Sequence, residues 1–348
     1  MTMKKVLFAT TALALSAGIA AADVTVSGYG RSGLLYVEDR ADAPMTYKYG
    51  YSTDGEANDL LISSRLRINL DASTTTDVGI DFGGRLRLQW DQGDNQTTVA
   101  PGYVYMSVNG FRMEAGNANT AYDSSGLISA SEIGIFGRSF GDSRGSYYSY
   151  NTDGYPSASN FDGSELLNDY LGIFGSYTMD NLTVRASIVN PDQQYQNDLK
   201  SLKKEIGVSA DYKWNDRLEV GAGYVTNAKG MDGNDQWYIG ARYAVVDNAR
   251  IGLNYLDNGE TGAYRDTGTD YVWEQTDWDN TVVLYGDYTM DRLNLAGYIA
   301  NNGYEGNDTD NAFGVGAKYD LGGAYVAASV QRGYDKNYTA DMGVRFDF

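Results

Sequence analysis

The 348-residue chain contains neither cysteine nor histidine. The first absence excludes disulfides, thiol nucleophiles and thiolate metal centres. The second excludes a Ser-His-Asp triad and imidazole-ligated zinc. An enzyme built from this chain would have to use carboxylates or a Ser–Lys site, and no two carboxylates stand at a spacing that defines one. Proline is scarce, at 4 residues, whereas tyrosine numbers 30 and glycine 42, which argues against disorder. Beyond a short stretch near the start, long apolar runs are also missing. Mean hydropathy is −0.42, too polar for helical membrane spans. Positive charge is in deficit: 27 Lys and Arg against 46 Asp and Glu leave a net charge of −19. Such a chain does not bind nucleic acid by neutralising phosphates.

The first residues read as a targeting segment. Lys4 and Lys5 precede an apolar run from Val6 to Leu15, and Ala20, Ala21 and Ala22 offer a small-residue cleavage site before Asp23. This is the pattern of a secretory signal peptide. The run falls short of the ~20 residues a transmembrane helix needs. Residues 1–22 are therefore expected to be removed, leaving a mature chain 23–348 that starts at Asp23 with a net charge of −21.

What the rest of the chain has in abundance is alternation. Val78, Ile80, Phe82, Leu86, Leu88 and Trp90 point one way, and Asp81, Arg85, Arg87, Gln89 and Asp91 the other. Leu60, Ile62, Leu66, Ile68 and Leu70 alternate likewise with Arg65, Arg67, Asn69 and Asp71. A period of two marks β-strands with one apolar face. A soluble sheet with one wet face would alternate too. Recurrence along nearly the whole chain, with Tyr and Trp gathered near strand ends, favours a transmembrane barrel, where only every second side chain meets lipid.

Sixteen such segments are predicted, at 24–38, 59–72, 77–91, 99–109, 111–118, 166–179, 182–190, 204–214, 217–226, 236–245, 249–256, 280–290, 292–300, 311–321, 324–331 and 338–348. Seven short connections rich in Asn, Asp and Gly, the first at Ser73–Thr76, alternate strictly with eight long ones. Antiparallel strands with both ends on one side need that arithmetic, and outer-membrane barrels pair short periplasmic turns with long external loops. The expected fold is thus all-β: a 16-stranded antiparallel transmembrane β-barrel.

Three stretches carry a family resemblance: Asp23-Val-Thr-Val-Ser-Gly-Tyr-Gly-Arg31 at the mature start, Gly116-Asn-Ala-Asn-Thr120 entering the longest loop, and Gly343-Val-Arg-Phe-Asp-Phe348 at the end. With the strand count, they make the chain resemble the general (non-specific) outer-membrane porins of Gram-negative bacteria, of the α-proteobacterial type, over the whole mature chain. The resemblance implies a passive, water-filled channel for small polar solutes and ions in the outer membrane, and no enzyme. It implies a homotrimer among membrane lipid and lipopolysaccharide, with the terminal Phe348 read by the barrel-assembly machinery. Outward Ile, Leu and Ala near the N-terminus, with few aromatics, agree with a protein-facing wall. No plug domain is expected, because the first strand follows the signal peptide at once.

Sixteen tilted strands enclose a lumen too wide for side chains to fill, so something must narrow it. The 47-residue stretch 119–165 is the candidate, since loops this long are usually functional. Leu127, Ile128, Ile133, Ile135 and Phe136 imply that it packs against something. It is the third external loop, and in the resembling family that loop folds into the lumen and forms a constriction. The expected acidic side is Glu132 and Asp142, then Asp123, with Asp153 and Asp162 also on the loop. The expected basic wall is Arg31, Arg65, Arg67, Arg85, Arg87 and Arg112. Opposed rings of charge are a known selectivity device. Arg138 and Arg144 are expected to pair with loop acids. The acidic excess predicts a mild cation preference.

Other readings stay open. Asp308 with Asp310, or Asp266 with Asp270, offer oxygen ligands for loop calcium, without a defining spacing; otherwise no cofactor is expected. Asp54-Gly55-Glu56 reads as a solvated turn. Tyr147, Tyr148, Tyr150 and Tyr155 fit loop packing or interface contacts, with sugar stacking as the alternative. A substrate-specific outer-membrane channel shares the fold, but the mixed lumenal charge favours general diffusion.

Overall fold

The computed structural model describes residues 23–40, 58–94, 96–152, 171–191, 203–266 and 271–348; the expected signal peptide, 1–22, lies outside them. The chain rises and falls as β1 (Asp23–Val37), β2 (Leu60–Thr75), β3 (Asp81–Asp91), β4 (Thr98–Val108), β5 (Phe111–Gly116), β6 (Leu171–Met179), β7 (Leu182–Asn190), β8 (Glu205–Trp214) and β9 (Leu218–Thr226). It continues as β10 (Gln236–Val246), β11 (Ala249–Asp257), β12 (Glu260–Asp266), β13 (Tyr271–Asp277), β14 (Asn280–Met290), β15 (Leu293–Asn302), β16 (Asn311–Asp320), β17 (Ala324–Arg332) and β18 (Tyr338–Asp347). Sixteen of these pair with their neighbours in an antiparallel closed barrel, and β18 closes it against β1. Closure leaves no row of unpaired N–H and C=O groups, the condition for a sheet to sit in lipid.

The alternation is realised as expected. Val24, Ile62, Leu86, Val104, Val208, Ile239, Leu253, Ile299 and Val315 are exposed on the outer face. Outward aromatics gather near the strand ends: Phe82, Phe111, Tyr177, Trp214, Tyr243, Tyr288, Tyr319 and Phe346 by the short turns, Trp237 and Phe313 by the long loops. Wide belts of this kind suit the two membrane interfaces.

Tight turns follow local chemistry. Asn109 and Gly110, both at positive φ (47° and 80°), join β4 to β5, the backbone that a two-residue hairpin loop of the right twist requires. Two expectations need correcting. The first hairpin turn is Thr76–Ile80, not Ser73–Thr76, and Val78 and Ile80 are turn residues. There the Thr76 hydroxyl accepts from Ile80 N at 3.0 Å and Thr75 donates to Asp81 at 2.6 Å, so side-chain hydrogen bonds hold a five-residue turn where glycine and alternation alone do not mark it. The long connection after β11 carries a further hairpin, β12 with β13, that stands apart from the barrel.

The seam between β1 and β18 is drawn tight by small residues. Gly33 faces Gly343, and a Cβ on Gly33 would lie 2.7 Å from the Met342 carbonyl oxygen. At the end of the seam Phe348 N donates to Gly28 O at 3.0 Å and Gly28 N to Phe348 O at 2.8 Å, while the Phe346 and Phe348 rings stack 6.0 Å apart over the glycines of β1. Gly33→Val is expected to destabilise closure by ~1–3 kcal/mol, the range for overpacking. The check is the temperature at which the folded barrel loses its fast mobility on a denaturing gel, which should fall.

Candidate functional site

Arginines fill the inner face where β18, β1, β2 and β3 meet. Arg31 stands opposite Arg65 on one side and Arg345 on the other, three guanidiniums in one row. Arg67 faces Tyr29 and Gln89, and Arg87 faces Asn69. Like charges directly opposite repel, so compensation is needed. Arg65 pairs with Asp91 at 2.5 Å, Arg85 with Asp71 at 2.7 Å and Arg345 with Asp347 at 2.6 Å. Tyr29 gives a shared π-face: Arg345 lies 4.0 Å, Arg67 5.2 Å and Arg31 6.0 Å from its ring centre. Among the described residues, Arg31, Arg67 and Arg87 form no ion pair. Arg67 donates to Gln89 at 2.7 Å, Arg87 to Asn69 at 3.3 Å, and Arg87 stacks 4.1 Å over Tyr150.

Arg112 does not belong to this cluster. It pairs with Glu114 at 2.7 Å, lies 3.8 Å over Tyr105 and is level with Ser107. Arg85 is level with Tyr103, four residues higher, or roughly 13 Å at the usual strand rise. Alternation correctly sets Arg112 inward but does not report height along the barrel axis.

The long loop enters the lumen and is tied to the far wall. Its apolar residues Leu127, Ile128, Ile133, Ile135 and Phe136 are all buried. The first three pack with inward Tyr238, Leu256, Val283, Tyr285 and Tyr298, the last two with Leu35 and Ala327. Backbone groups of the loop find side-chain partners on the wall. Ile135 N donates to Asp341 at 2.7 Å, Phe140 N to the Tyr298 hydroxyl at 2.9 Å and Tyr148 N to Glu205 at 2.9 Å. Gly126 N donates to Asp211, which Arg185 also contacts. Asn254 Nδ2 donates to Leu127 O at 2.6 Å. Gly134 needs its positive φ of 77°, and a Cβ there would meet Asp341 at 2.6 Å. These wall residues are additions to the site expected from sequence. Their inward orientation was readable; their pairing with a loop so distant in sequence was not.

The three expected acids divide. Asp123 shares a cavity of about 690 Å³ with Arg65, Arg67, Arg85 and Arg87. Glu132 shares a second, of about 350 Å³, with Arg31, Lys318 and Arg345. Asp142 lines neither of these; it is set inside the loop and accepts from Ser131 Oγ at 3.1 Å. Burial pushes Asp142 up to about 8, and the Glu132 charge adds to it. Burial within the barrel also pushes Glu132 up to about 7, helped by Asp123; lumenal water reaches this side chain, so its shift is the smaller. Asp153, Asp162 and Tyr155 lie outside the described residues. Tyr148 is buried, Tyr147 packs 4.9 Å from Tyr122 and Tyr150 lies under Arg87, so these tyrosines serve packing rather than an open ladder. Asp270 and Asp54-Gly55-Glu56 lie outside the described residues too.

A family model for "Gram-negative porin" matches residues 9–339. The chain belongs to the Gram-negative porin family. The porin of Fuscovulum blasticum is 36% identical over 329 residues, covering 94% of this chain and 100% of that one. Two solved mutants of Rh. blastica porin superpose with TM-scores of 0.77 and 0.76, each at 36% identity over 93% of this chain and 100% of theirs. As a porin, it is an outer-membrane protein that crosses the bilayer with its sixteen barrel strands.

Among the described residues, Arg144 of this porin has no acidic partner of the kind expected. Its guanidinium donates to Asn302 at 2.7 Å and Asn307 at 2.8 Å and sits 5.0 Å from the Trp278 ring, 5.1 Å from Tyr304 and 5.0 Å from Tyr334. Its backbone N donates to Asn258 at 2.9 Å. Tyr334 in turn donates to Phe140 O at 2.9 Å. One loop residue is thus boxed by three external loops. Arg138, also expected to pair with an acid, lies 5.8 Å over Phe136 and forms no ion pair among the described residues. Arg144→Ala removes two charge-assisted hydrogen bonds and the π-contacts, on the order of 2 kcal/mol of local anchoring. Open-channel current noise in planar bilayers should rise, while Arg144→Lys should restore part of the quiet state.

Proposed function

We propose that this porin is a general diffusion channel whose selectivity arises between Arg31, Arg67 and Arg87 on the wall and Asp123, Glu132 and Asp142 on the loop. The observation that carries the reading is the shared lumenal cavity in which Asp123 faces the arginines of β2 and β3. Because Arg65 and Arg85 are neutralised by Asp91 and Asp71, the field across the passage is set by the unpaired members. A transverse field orders water and hinders apolar solutes, while small polar ones pass. The overall acidic excess adds a mild cation preference. The chain carries out no catalysis in this reading and needs no cofactor. The rival, a substrate-specific channel, is disfavoured by the mixed charge.

The same reading covers assembly. Residues 1–22 direct export and are cleaved. Phe348, outward at the base of the closing seam, is the residue that the barrel-assembly machinery reads. The outer face of β1 and β2 presents Val24, Val26, Leu34, Ile62 and Leu66 with small Ser32 and Ser64 hydrogen-bonded at 2.8 Å. An apolar wall broken by small residues and poor in aromatics suits packing against another copy, and a homotrimer among membrane lipid and lipopolysaccharide follows. Crosslinking after mild detergent extraction should yield a trimer, and a species that is only monomeric would contradict this.

The decisive measurement is single-channel conductance in a planar bilayer under a tenfold KCl gradient. Large steps that scale with bulk salt are expected; folded protein without conductance would end the channel reading. Arg67→Gln with Arg87→Gln should move the reversal potential toward stronger cation preference. As pH falls from 9 to 6, Asp142 and then Glu132 take up protons through about 8 and about 7. The arginines stay charged over that range, so cation preference should fall with pH. Glu132→Gln with Asp142→Asn should remove that dependence.

A further inference from the structure

The second lumenal cavity, about 350 Å³, lies on the short-turn side of the loop tip, between residues 132–137 and the wall of β15 to β18 and β1. It collects cations from three strands: Arg31 of β1, Lys318 of β16 and Arg345 of β18. Among the described residues, one carboxylate, Glu132, lines it with them. Asp347 neutralises Arg345. Among the described residues neither Arg31 nor Lys318 forms an ion pair; Lys318 lies 5.4 Å over the Tyr325 ring, and Arg31 reaches the Phe136 carbonyl at 3.4 Å. The Nε of Arg31 is shut from bulk and has no acceptor among the described residues. Arg31 is half-buried while Lys318 is open to the lumen, and two cations lining one cleft without an ion-pair partner favour an anion between them.

We propose that this cleft binds a small oxyanion, of the phosphate, sulfate or carboxylate class, between Arg31 and Lys318, with Arg345 at its edge. The donor set fits. A guanidinium presents a planar fork to two oxygens, and an ammonium takes a third as a point charge. Tyr325, beside both Lys318 and Arg345, supplies a neutral wall. The site differs from the cavity between Asp123 and the arginines of β2 and β3, where Asp91, Asp94, Glu114 and Asp123 already line the space with the cations. An anion held below the loop tip occupies part of the permeation path, so binding is read as block. The inference rests on the channel reading, but its failure is separable, because potassium chloride conductance tests that reading without phosphate.

The test uses full-length purified porin in planar bilayers at low potassium chloride, with inorganic phosphate added to the short-turn side, and calorimetric titration of the detergent-extracted protein with phosphate. Saturable loss of unit conductance is expected, with heat that saturates over the same range. Lys318→Gln and Arg31→Gln should each raise the half-blocking concentration about tenfold, the effect of losing one charge-assisted hydrogen bond. Lys318→Arg, which keeps the charge, should stay within a few-fold of the parent. Arg67→Gln should shift ion preference without moving the phosphate half-block. The proposal is overturned if potassium chloride conducts but phosphate neither blocks nor gives saturating heat. It is overturned equally if the block survives both neutral substitutions or responds only to Arg67→Gln.

Discussion

Inside a bilayer no water meets a stray N–H or C=O, so every backbone polar group must find a partner within the protein. That constraint closes β18 onto β1, and the same accounting applies where the loop is buried against the wall, out of reach of lumenal water. A loop folded into the barrel carries its own orphan amides. The inward side chains of the wall serve them: Asp211, Asp341 and Glu205 accept from loop N–H groups, and Asn254 donates to a loop carbonyl. The polar inner face is therefore more than a water-wetted surface. One part of it is a template of hydrogen-bond partners for the loop, and only the remainder is free to face solute.

The division has an electrostatic consequence. Charge crowded on one wall is costly unless compensated, and most inward cations among the described residues pair with an acid on their own or a neighbouring strand. Among the described wall residues what remains unpaired is small and localised: Arg31, Arg67 and Arg87 form a diagonal over β1, β2 and β3, with Lys318 across the seam from Arg31. Sequence composition cannot separate these from Arg65 or Arg85, since all of them alternate correctly. The distinction comes from register, which places Asp91 opposite Arg65 and Asp71 opposite Arg85 but Gln89 opposite Arg67 and Asn69 opposite Arg87.

Much of the fold was legible because alternation and turn parity are local properties. The sixteen strands and the inward set of arginines follow from period two alone. What escaped depends on relations between distant segments. Arg345 lies in the closing stretch Gly343 to Phe348, yet its membership in the Arg31 row exists only once the barrel closes. Arg112 shows the converse, since correct orientation at the wrong height removes it from the cluster. The displaced first turn came from Thr75 and Thr76 hydrogen bonds that override hydropathy. The hairpin of β12 and β13 was hidden in a polar stretch where no core fixes a pattern.

Loop position is set by the same logic at its outer end. Arg144 could have paired with Asp142 two residues away, as charge alone would favour. Instead it leaves the loop to fill a box of Trp278, Tyr304, Tyr334 and two asparagines, while Asp142 takes a serine. A local pair would have stiffened the loop without fixing it in space. The box couples it to three external loops, and Asp341 ties its tip to β18 at the opposite end. A loop held at both ends against one wall touches the arginine wall through Tyr150 on Arg87 and Phe136 on Arg31, and the cavity between Asp123 and the arginines of β2 and β3 is left beside it, where the proposed selectivity charges lie.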